Sequence, residues 1–267
     1  METTAIAMLK RIKETSPLIH NITNFVVMNS SANILLAVGA SPVMAHSRAE
    51  AAHMAAMSSA LVLNIGTLEK AWLDAMIMAG RAANKLGIPV VLDPVGAGAT
   101  KFRSDAVEKI MASCSVSVIR GNASEVLSMG SSDIKTRGVE SSFAMSDDAT
   151  EVLRTMAAER KCIIAVSGPQ DCITDGSRVF RVENGHPLMT RVTGIGCGLS
   201  AVAAAFCAVD GGLRLEAVTS AFAFYGRCGE LAASVSEKPG SFYTAFLDTL
   251  HSAGESEITG GLKVREE

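Results

Sequence analysis

The chain has 267 residues, 48% of them hydrophobic and 19% charged, with a formal net charge of −3. So much apolar content builds a substantial core and excludes a disordered chain, and without a positive excess no face can neutralise a run of nucleic-acid phosphates. Aromatic residues make up only 4%, and the prevailing small and aliphatic residues suit helices packed closely on a sheet, so the expectation is an α/β enzyme.

From the N-terminus, Met1–Lys13 mixes charged and apolar residues at helical spacing and lacks the long apolar core of a signal peptide. No later stretch reaches the roughly 18 uninterrupted apolar residues of a membrane span. The six cysteines include no C-x-x-C pair and no histidine partner at zinc-finger spacing. A soluble cytoplasmic protein with reduced thiols, and no membrane partner, is expected.

Apolar runs of strand length follow at Ser41–Ala45, Ala60–Gly66, Ile88–Asp93, Val116–Arg120 and Cys162–Gly168, with helical patterns between most of them. This βαβ rhythm predicts a mainly parallel central sheet flanked by helices. Gly87 closes a Leu68–Leu86 helix, Ser104 opens the next, and Ser146 with Asp147 and Asp148 caps Ala149–Arg160. Asp171–Thr174, the Asp175-Gly176 turn and Arg178–Val182 read as a hairpin at one edge. Beyond Gly198 the pattern is helical over Leu199–Val209, Leu215–Val235 and Phe242–Ala253, ending in a polar tail. No linker or repeat interrupts residues 1–267, so one domain is expected, with Ser131–Ser142 read as a surface loop.

Three strands end in polar turns, at Asp93-Pro94, Arg120-Gly121-Asn122 and Ser167-Gly168. Carboxyl ends of parallel strands share one edge, where ligands bind. The run Thr193–Gly198 (Thr-Gly-Ile-Gly-Cys-Gly) precedes an apolar helix, either as a tight turn or as a nest of amides that receives a phosphate. It is neither a Walker loop nor a dinucleotide fingerprint. Asp93 reads as a turn former or a ligand, Glu125 as a helix-start residue or a functional acid, and Arg120 as half of a surface ion pair or a phosphate contact. Met44 reads as core on spacing alone. Cys197 reads as a small buried hydrophobe, or as a thiol made reactive by a helix N-terminus that lowers its pKa.

Four segments together carry a resemblance. Asn122–Glu125 (Asn-Ala-Ser-Glu) resembles the Asn-x-x-Glu motif of ribokinase-like small-molecule kinases, and Gly194–Cys197 resembles their Gly-x-Gly-Asp anion hole with cysteine in place of aspartate. With His20–Asn24, Leu92–Gly98, Ile119–Glu125 and Val192–Ser200, the chain is similar over nearly its whole length to the hydroxyethylthiazole kinases. The resemblance implies a ribokinase-like three-layer sandwich without a separate lid domain. It implies magnesium- and ATP-dependent phosphorylation of 4-methyl-5-(2-hydroxyethyl)thiazole in thiamine biosynthesis or salvage. It further implies that Arg120 and Ser167 contact ATP, Met44 and the backbone of Gly194 contact the thiazole, and Asn24 lies near the alcohol. Asp93 and Glu125 would flank the metal and its waters, and Gly194, Gly196 and Cys197 would form the catalytic turn. A homotrimer with active sites at subunit contacts is also implied. The missing aspartate keeps alternatives in view: another ribokinase-like enzyme, such as a hydroxymethylpyrimidine kinase or a hydratase, or a non-catalytic thiazole or nucleotide sensor.

Overall fold

The computed structural model describes residues 1–130, 147–212 and 214–267. Its strands are β1 (Leu18–Ile22), β2 (Ser41–Val43), β3 (Ala60–Asn64), β4 (Val90–Asp93), β5 (Val118–Asn122), β6 (Ile163–Ser167), β7 (Asp171–Thr174), β8 (Val179–Val182) and β9 (Val264–Glu266). They form one sheet in the order β2-β1-β3-β4-β5-β6-β7-β8-β9. The strands from β2 to β6 are parallel, and β7, β8 and β9 are added antiparallel.

Alternation along the parallel strands splits their side chains between two cores. Ala60 and Val62 of β3 join one, Leu61 and Leu63 the other; in β4, Val91 faces the first and Val90 and Leu92 the second. Both faces are dry, which is why these strands read as continuous apolar runs. Helices Glu2–Thr15, Met28–Val38, Ile195–Ala208, Arg214–Val235 and Pro239–Ser252 cover the first face. Helices Ala51–Met57, Lys70–Lys85, Lys101–Ser113 and Asp147–Arg160 cover the second, completing the expected three layers. No helix among the described residues is long and apolar enough to cross a membrane.

Several boundaries differ from the sequence expectation for identifiable reasons. The Lys101 helix is capped by Thr100, whose Oγ1 accepts from the Arg103 amide at 3.3 Å, while Ser104 accepts from the Gly98 amide and braces the preceding turn. Val116 is buried but outside the ladder, so β5 runs two residues later than expected and Arg120 lies within it. The glycine-rich run does not precede its helix: Gly194 is the cap, at φ +91°, and Ile195–Gly198 are already helical. The polar tail contains β9, which closes the sheet beside β8, and β1 is an additional strand that sequence patterning missed. The Leu68–Leu86 reading holds as Lys70–Lys85, with Gly87 at positive φ just beyond it. Ser146 and Ser131–Ser142 lie outside the described residues.

The Arg214–Val235 helix crosses a neighbouring chain segment closely enough to require glycine. A Cβ on Gly226 would lie 2.5 Å from the backbone oxygen of Asn184 and 2.6 Å from its carbonyl carbon. Gly226→Ala is expected to cost about 1–3 kcal/mol through backbone displacement, lowering the melting temperature by roughly 3–10 °C in a thermal denaturation scan.

Candidate active site

Because β1 through β6 share one direction, the residues that follow or end them meet at a single edge. Asn24 follows β1, Asn64 ends β3, Asp93 ends β4, Arg120 lies in the middle of β5, and Ser167 ends β6. The Ile195–Ala208 helix begins over the same edge and presents Cys197 and Ser200 to it.

A buried network ties these elements together. Asn64 Nδ2 donates to Asp93 Oδ2 at 2.8 Å and to Cys197 Sγ at 3.2 Å. Asn64 Oδ1 accepts from Asn24 Nδ2 at 2.8 Å and from the Gly66 amide at 3.0 Å. Ser200 Oγ donates to Asp93 Oδ2 at 2.7 Å. Gly66 must lack a side chain here, since a Cβ would lie 2.4 Å from Asn24 Nδ2. Arg103 secures the loops behind Asn64 and Asp93 by donating to the carbonyls of Ile65, Gly66 and Val95.

Burial governs the titration of the site. Asp93 is 1% exposed, and loss of hydration raises its pKa to about 6, against the pull of Arg120, Ser200 and Asn64 and with a further push from the negative charge of Glu125. The Cys197 thiol is pushed up to about 11, first by burial and then by Asp93. Of the two readings of Cys197 this favours the small buried side chain over the reactive thiolate: the favourable helix end is outweighed by desolvation beside a carboxylate.

Arg120 is the opposite charge in this environment. It is buried, its Nη2 donates to Ser167 Oγ at 2.8 Å, and its Nε has no hydrogen-bond partner. Among the described residues no carboxylate lies within ion-pair distance of it, so the surface ion-pair reading is set aside. A Cβ on Gly196 would lie 3.5 Å from Arg120 Nη1, so the guanidinium and the first-turn amides of the Ile195 helix border the same space. Those amides have no carbonyl one turn earlier to bond to. Gly194 is required twice over, by its positive φ and because a Cβ would lie 2.5 Å from Ser30 Oγ. The arrangement can bind a polyanion against fixed positive charge and backbone donors.

Glu125 performs the helix-start role in full. Its Oε2 accepts from the Asn122 amide at 2.9 Å while the Asn122 side chain accepts from the Glu125 amide, forming a capping box. Its Oε1 accepts from the Gly96 amide at 2.9 Å, joining the β4 and β5 turns. Met44 is half-buried immediately after β2, at the outer end of the same edge. Asn64, Ser200 and Asp171 were not singled out in the sequence. A polar residue ending an apolar strand was the available signal for Asn64, but Ala60–Gly66 read as one strand running through it.

The Hydroxyethylthiazole kinase family model matches residues 9–255. The chain belongs to the hydroxyethylthiazole kinase family. It is 51% identical to the hydroxyethylthiazole kinase of Desulfotalea psychrophila over 98% of this chain and 96% of that protein. Identity to the hydroxyethylthiazole kinase of Desulfosudis oleivorans is 50%, over 98% of this chain and 95% of that one. The solved structure of the hydroxyethylthiazole kinase from Pyrococcus horikoshii superposes with a TM-score of 0.90 at 43% identity, covering 99% of both chains. The pyridoxal kinase of Staphylococcus aureus shares the fold, with a TM-score of 0.65 at 14% identity over 94% of this chain and 99% of that one.

One buried acid of this edge reports on stability. Asp171 Oδ1 accepts from the Gly168 amide at 3.0 Å, yet burial raises its pKa from 3.8 to about 7 despite that bond and the nearby Arg120. The folded state therefore holds the proton more tightly than the unfolded chain, and stability is lost as pH rises between those two values and stays low above them. Asp171→Asn, which keeps the acceptor, is expected to stabilise the protein at pH 8 by at most a few kcal/mol and to have little effect near pH 4. Urea denaturation of both proteins at the two pH values measures it.

Proposed function

We propose that this chain transfers the terminal phosphoryl group of ATP to the primary hydroxyl of 4-methyl-5-(2-hydroxyethyl)thiazole, giving the thiazole phosphate and ADP within thiamine biosynthesis or salvage. The observation that carries this reading is Arg120, a buried cation with an unpartnered Nε beside the open first turn of the Ile195 helix. Membership of the family supplies the substrate class. Residues 1–267 act in this reading as one domain, in the cytoplasm.

Arg120 and Ser167 hold the nucleotide phosphates, and the amides of Gly194, Gly196 and Cys197 face the transferring group. Phosphoryl transfer asks mainly for alignment and for neutralisation of charge on the phosphoryl oxygens. Met44, Asn24 and the Gly194 backbone bracket the thiazole alcohol. A bond forms between the alcohol oxygen and the γ-phosphorus, the γ-phosphorus to bridging-oxygen bond breaks, and the alcohol proton is released as the ester forms. With the Cys197 thiol at about 11, cysteine is a poor general base near neutrality, and a loose transition state needs none early.

Asp93 and Glu125 would hold magnesium. The charge of Glu125 is felt at Asp93, so a cation is favoured between them, but both Glu125 oxygens already accept backbone amides. No group of three histidines, cysteines or acids among the described residues is placed to chelate a metal. This donor set fits a hydrated Mg²⁺ held by one or two carboxylates through its waters, not a stripped ion. When bound, the ion supplies charge neutralisation at the phosphates.

We also propose a homotrimer whose subunits meet beside the site. Phe25 and Val26, next to Asn24, are 61% and 63% exposed, and the Phe25 ring lies tilted against Trp72 with centroids 4.5 Å apart, Trp72 in turn lying tilted against His46. Such an apolar patch suits cover by another copy.

Incubation with Mg-ATP and the thiazole alcohol, followed by mass analysis, is expected to yield the phosphate ester; binding without product would mark a sensor instead. Arg120→Ala is expected to lower kcat/KM for ATP by about 100-fold or more, and Arg120→Lys to recover little of it because a point ammonium cannot replace the planar fork. Cys197→Ser is expected to keep kcat within about tenfold. The shape of its pH profile between about 6 and 9 should be unchanged, since one neutral hydrogen-bonding group replaces another. Complete loss of turnover in the serine variant would contradict the assignment of Cys197.

A further inference from the structure

We propose that Asn64 is a positioning residue of this site, the side chain that sets Asn24, Cys197 and Asp93 at fixed distances from one another. The inference rests on the kinase reading above and adds to it a residue placed between the acceptor pocket and the acidic residue of the metal site.

Asn64 is 2% exposed and pairs with Asp93 in the register of β3 and β4. An asparagine amide offers two N–H donors and an oxygen with two lone pairs. All four are used: Nδ2 on Asp93 and Cys197, Oδ1 on Asn24 and the Gly66 amide. A flipped amide would set its oxygen against the Asp93 carboxylate and its NH₂ against two other N–H groups, so a single orientation is allowed. Each of its three side-chain partners comes from a different element: the turn after β1, the end of β4 and the first turn of the Ile195 helix.

The bond to sulfur has a consequence for the thiol. Cys197 Sγ accepts from Asn64 at 3.2 Å and receives a longer contact from Asn24 at 3.7 Å. With its lone pairs engaged on that side, the S–H is left to point away from the network. Asn64 thereby fixes where the thiol proton lies relative to an alcohol seated beside Asn24. Arg120 and Ser167 bond to each other and not to Asn64. Changing Asn64 therefore leaves the Arg120–Ser167 contacts to the nucleotide in place while the acceptor side and the Asp93 carboxylate lose their fixed spacing, and in-line transfer is sensitive to small misplacement.

Two variants separate this role from simple loop anchoring. Asn64→Ala deletes all four bonds. Asn64→Asp keeps the two accepted bonds, which anchor Asn24 and the Gly66 loop, and replaces the donating NH₂ by a carboxyl oxygen that no longer donates to Cys197 and, when ionised, repels Asp93. Both are expected to lose about 100-fold or more in kcat while KM for ATP stays within about threefold. Asn64→Asp at near wild-type kcat would show that only anchoring matters and would overturn the proposal. So would a parallel rise in KM for ATP, or failure of both variants to fold.

A second readout does not depend on turnover. Cys197 is the only half-exposed cysteine among the six, the others being buried. Alkylation of the native protein by iodoacetamide therefore reports on it. Asn64 donates to the sulfur and so favours its thiolate; losing that donor in Asn64→Ala is expected to slow this labelling several-fold, and an unchanged or faster rate would overturn the proposal. Ester formation by the unaltered protein tests the kinase reading separately, so loss of either conclusion is recognised on its own.

Discussion

Asp93 and Arg120 are opposite charges on adjacent strands, both removed from water, and they do not neutralise each other by direct contact. Taking either group out of water costs several kcal/mol. The usual offset is an ion pair, but here Asp93 is satisfied by the neutral donors Asn64 and Ser200, and Arg120 by the hydroxyl of Ser167. The rest of the edge follows from keeping these charges apart. Asn64 has to end β3, a small hydroxyl has to sit on the first turns of the Ile195 helix, and glycines have to line the space in front of the guanidinium. A fold selected only for stability would fill this edge with aliphatic residues. Charges kept apart in this way suit an edge that receives a charged ligand.

How much of this was legible depended on whether local chemistry or packing decided each position. Four of the five strands read from the sequence, β3 to β6, were readable because parallel strands buried on both faces carry apolar runs, and the β7–β8 hairpin because Asp175-Gly176 fixes its turn. β1 was hidden because His20 and Asn21 interrupt its apolar run, although both are fully buried in the sheet. β9 was hidden because an edge strand can be short and charged: Arg178 pairs with Glu266, and Arg181 with Glu267. The late glycines misled in the opposite sense. Glycine is a poor helix former, yet glycine occupies helical position 198 because any Cβ there would lie 2.4 Å from Ile34 Cδ1 and 2.7 Å from the Tyr225 hydroxyl oxygen. Tertiary closeness overrode propensity.

The same contrast applies to the site. Asp93, Arg120 and Ser167 stood out as polar endings of apolar strands, and the structure brings all of them to one edge with Asn24 and Cys197. Glu125 was legible as a helix-start residue, and the capping box shows how a carboxylate can serve local structure and still carry its charge toward Asp93. For Cys197 the sequence offered both an inert buried thiol and a reactive one, and only the structure shows why the first wins. A helix N-terminus favours a thiolate, but sequence does not reveal that the sulfur is desolvated and faces a carboxylate, and those two effects together win.

The spatial order of the strands also orders the chemistry. Along β2, β1, β3, β4, β5 and β6 the edge presents Met44, Asn24, Asn64, Asp93, Arg120 and Ser167 in turn. Under the proposed assignment this sequence runs from the thiazole, through its alcohol and the acid beside the metal, to the phosphates of the nucleotide. One helix spans the middle: its Cys197 touches the acceptor half through Asn64 and Asn24, and its Gly196 borders Arg120 in the nucleotide half. Because neighbouring parallel strands lie about 4.8 Å apart, consecutive strand ends place consecutive reacting groups at spacings comparable to a phosphate. A rigid sheet thereby supplies the alignment that phosphoryl transfer requires, leaving the helix start to supply donors and the small side chains to set orientation. Under that assignment, catalytic power in such a design resides in the register of the strands more than in any single reactive side chain, and a cysteine that stays neutral at the start of the Ile195 helix is consistent with it.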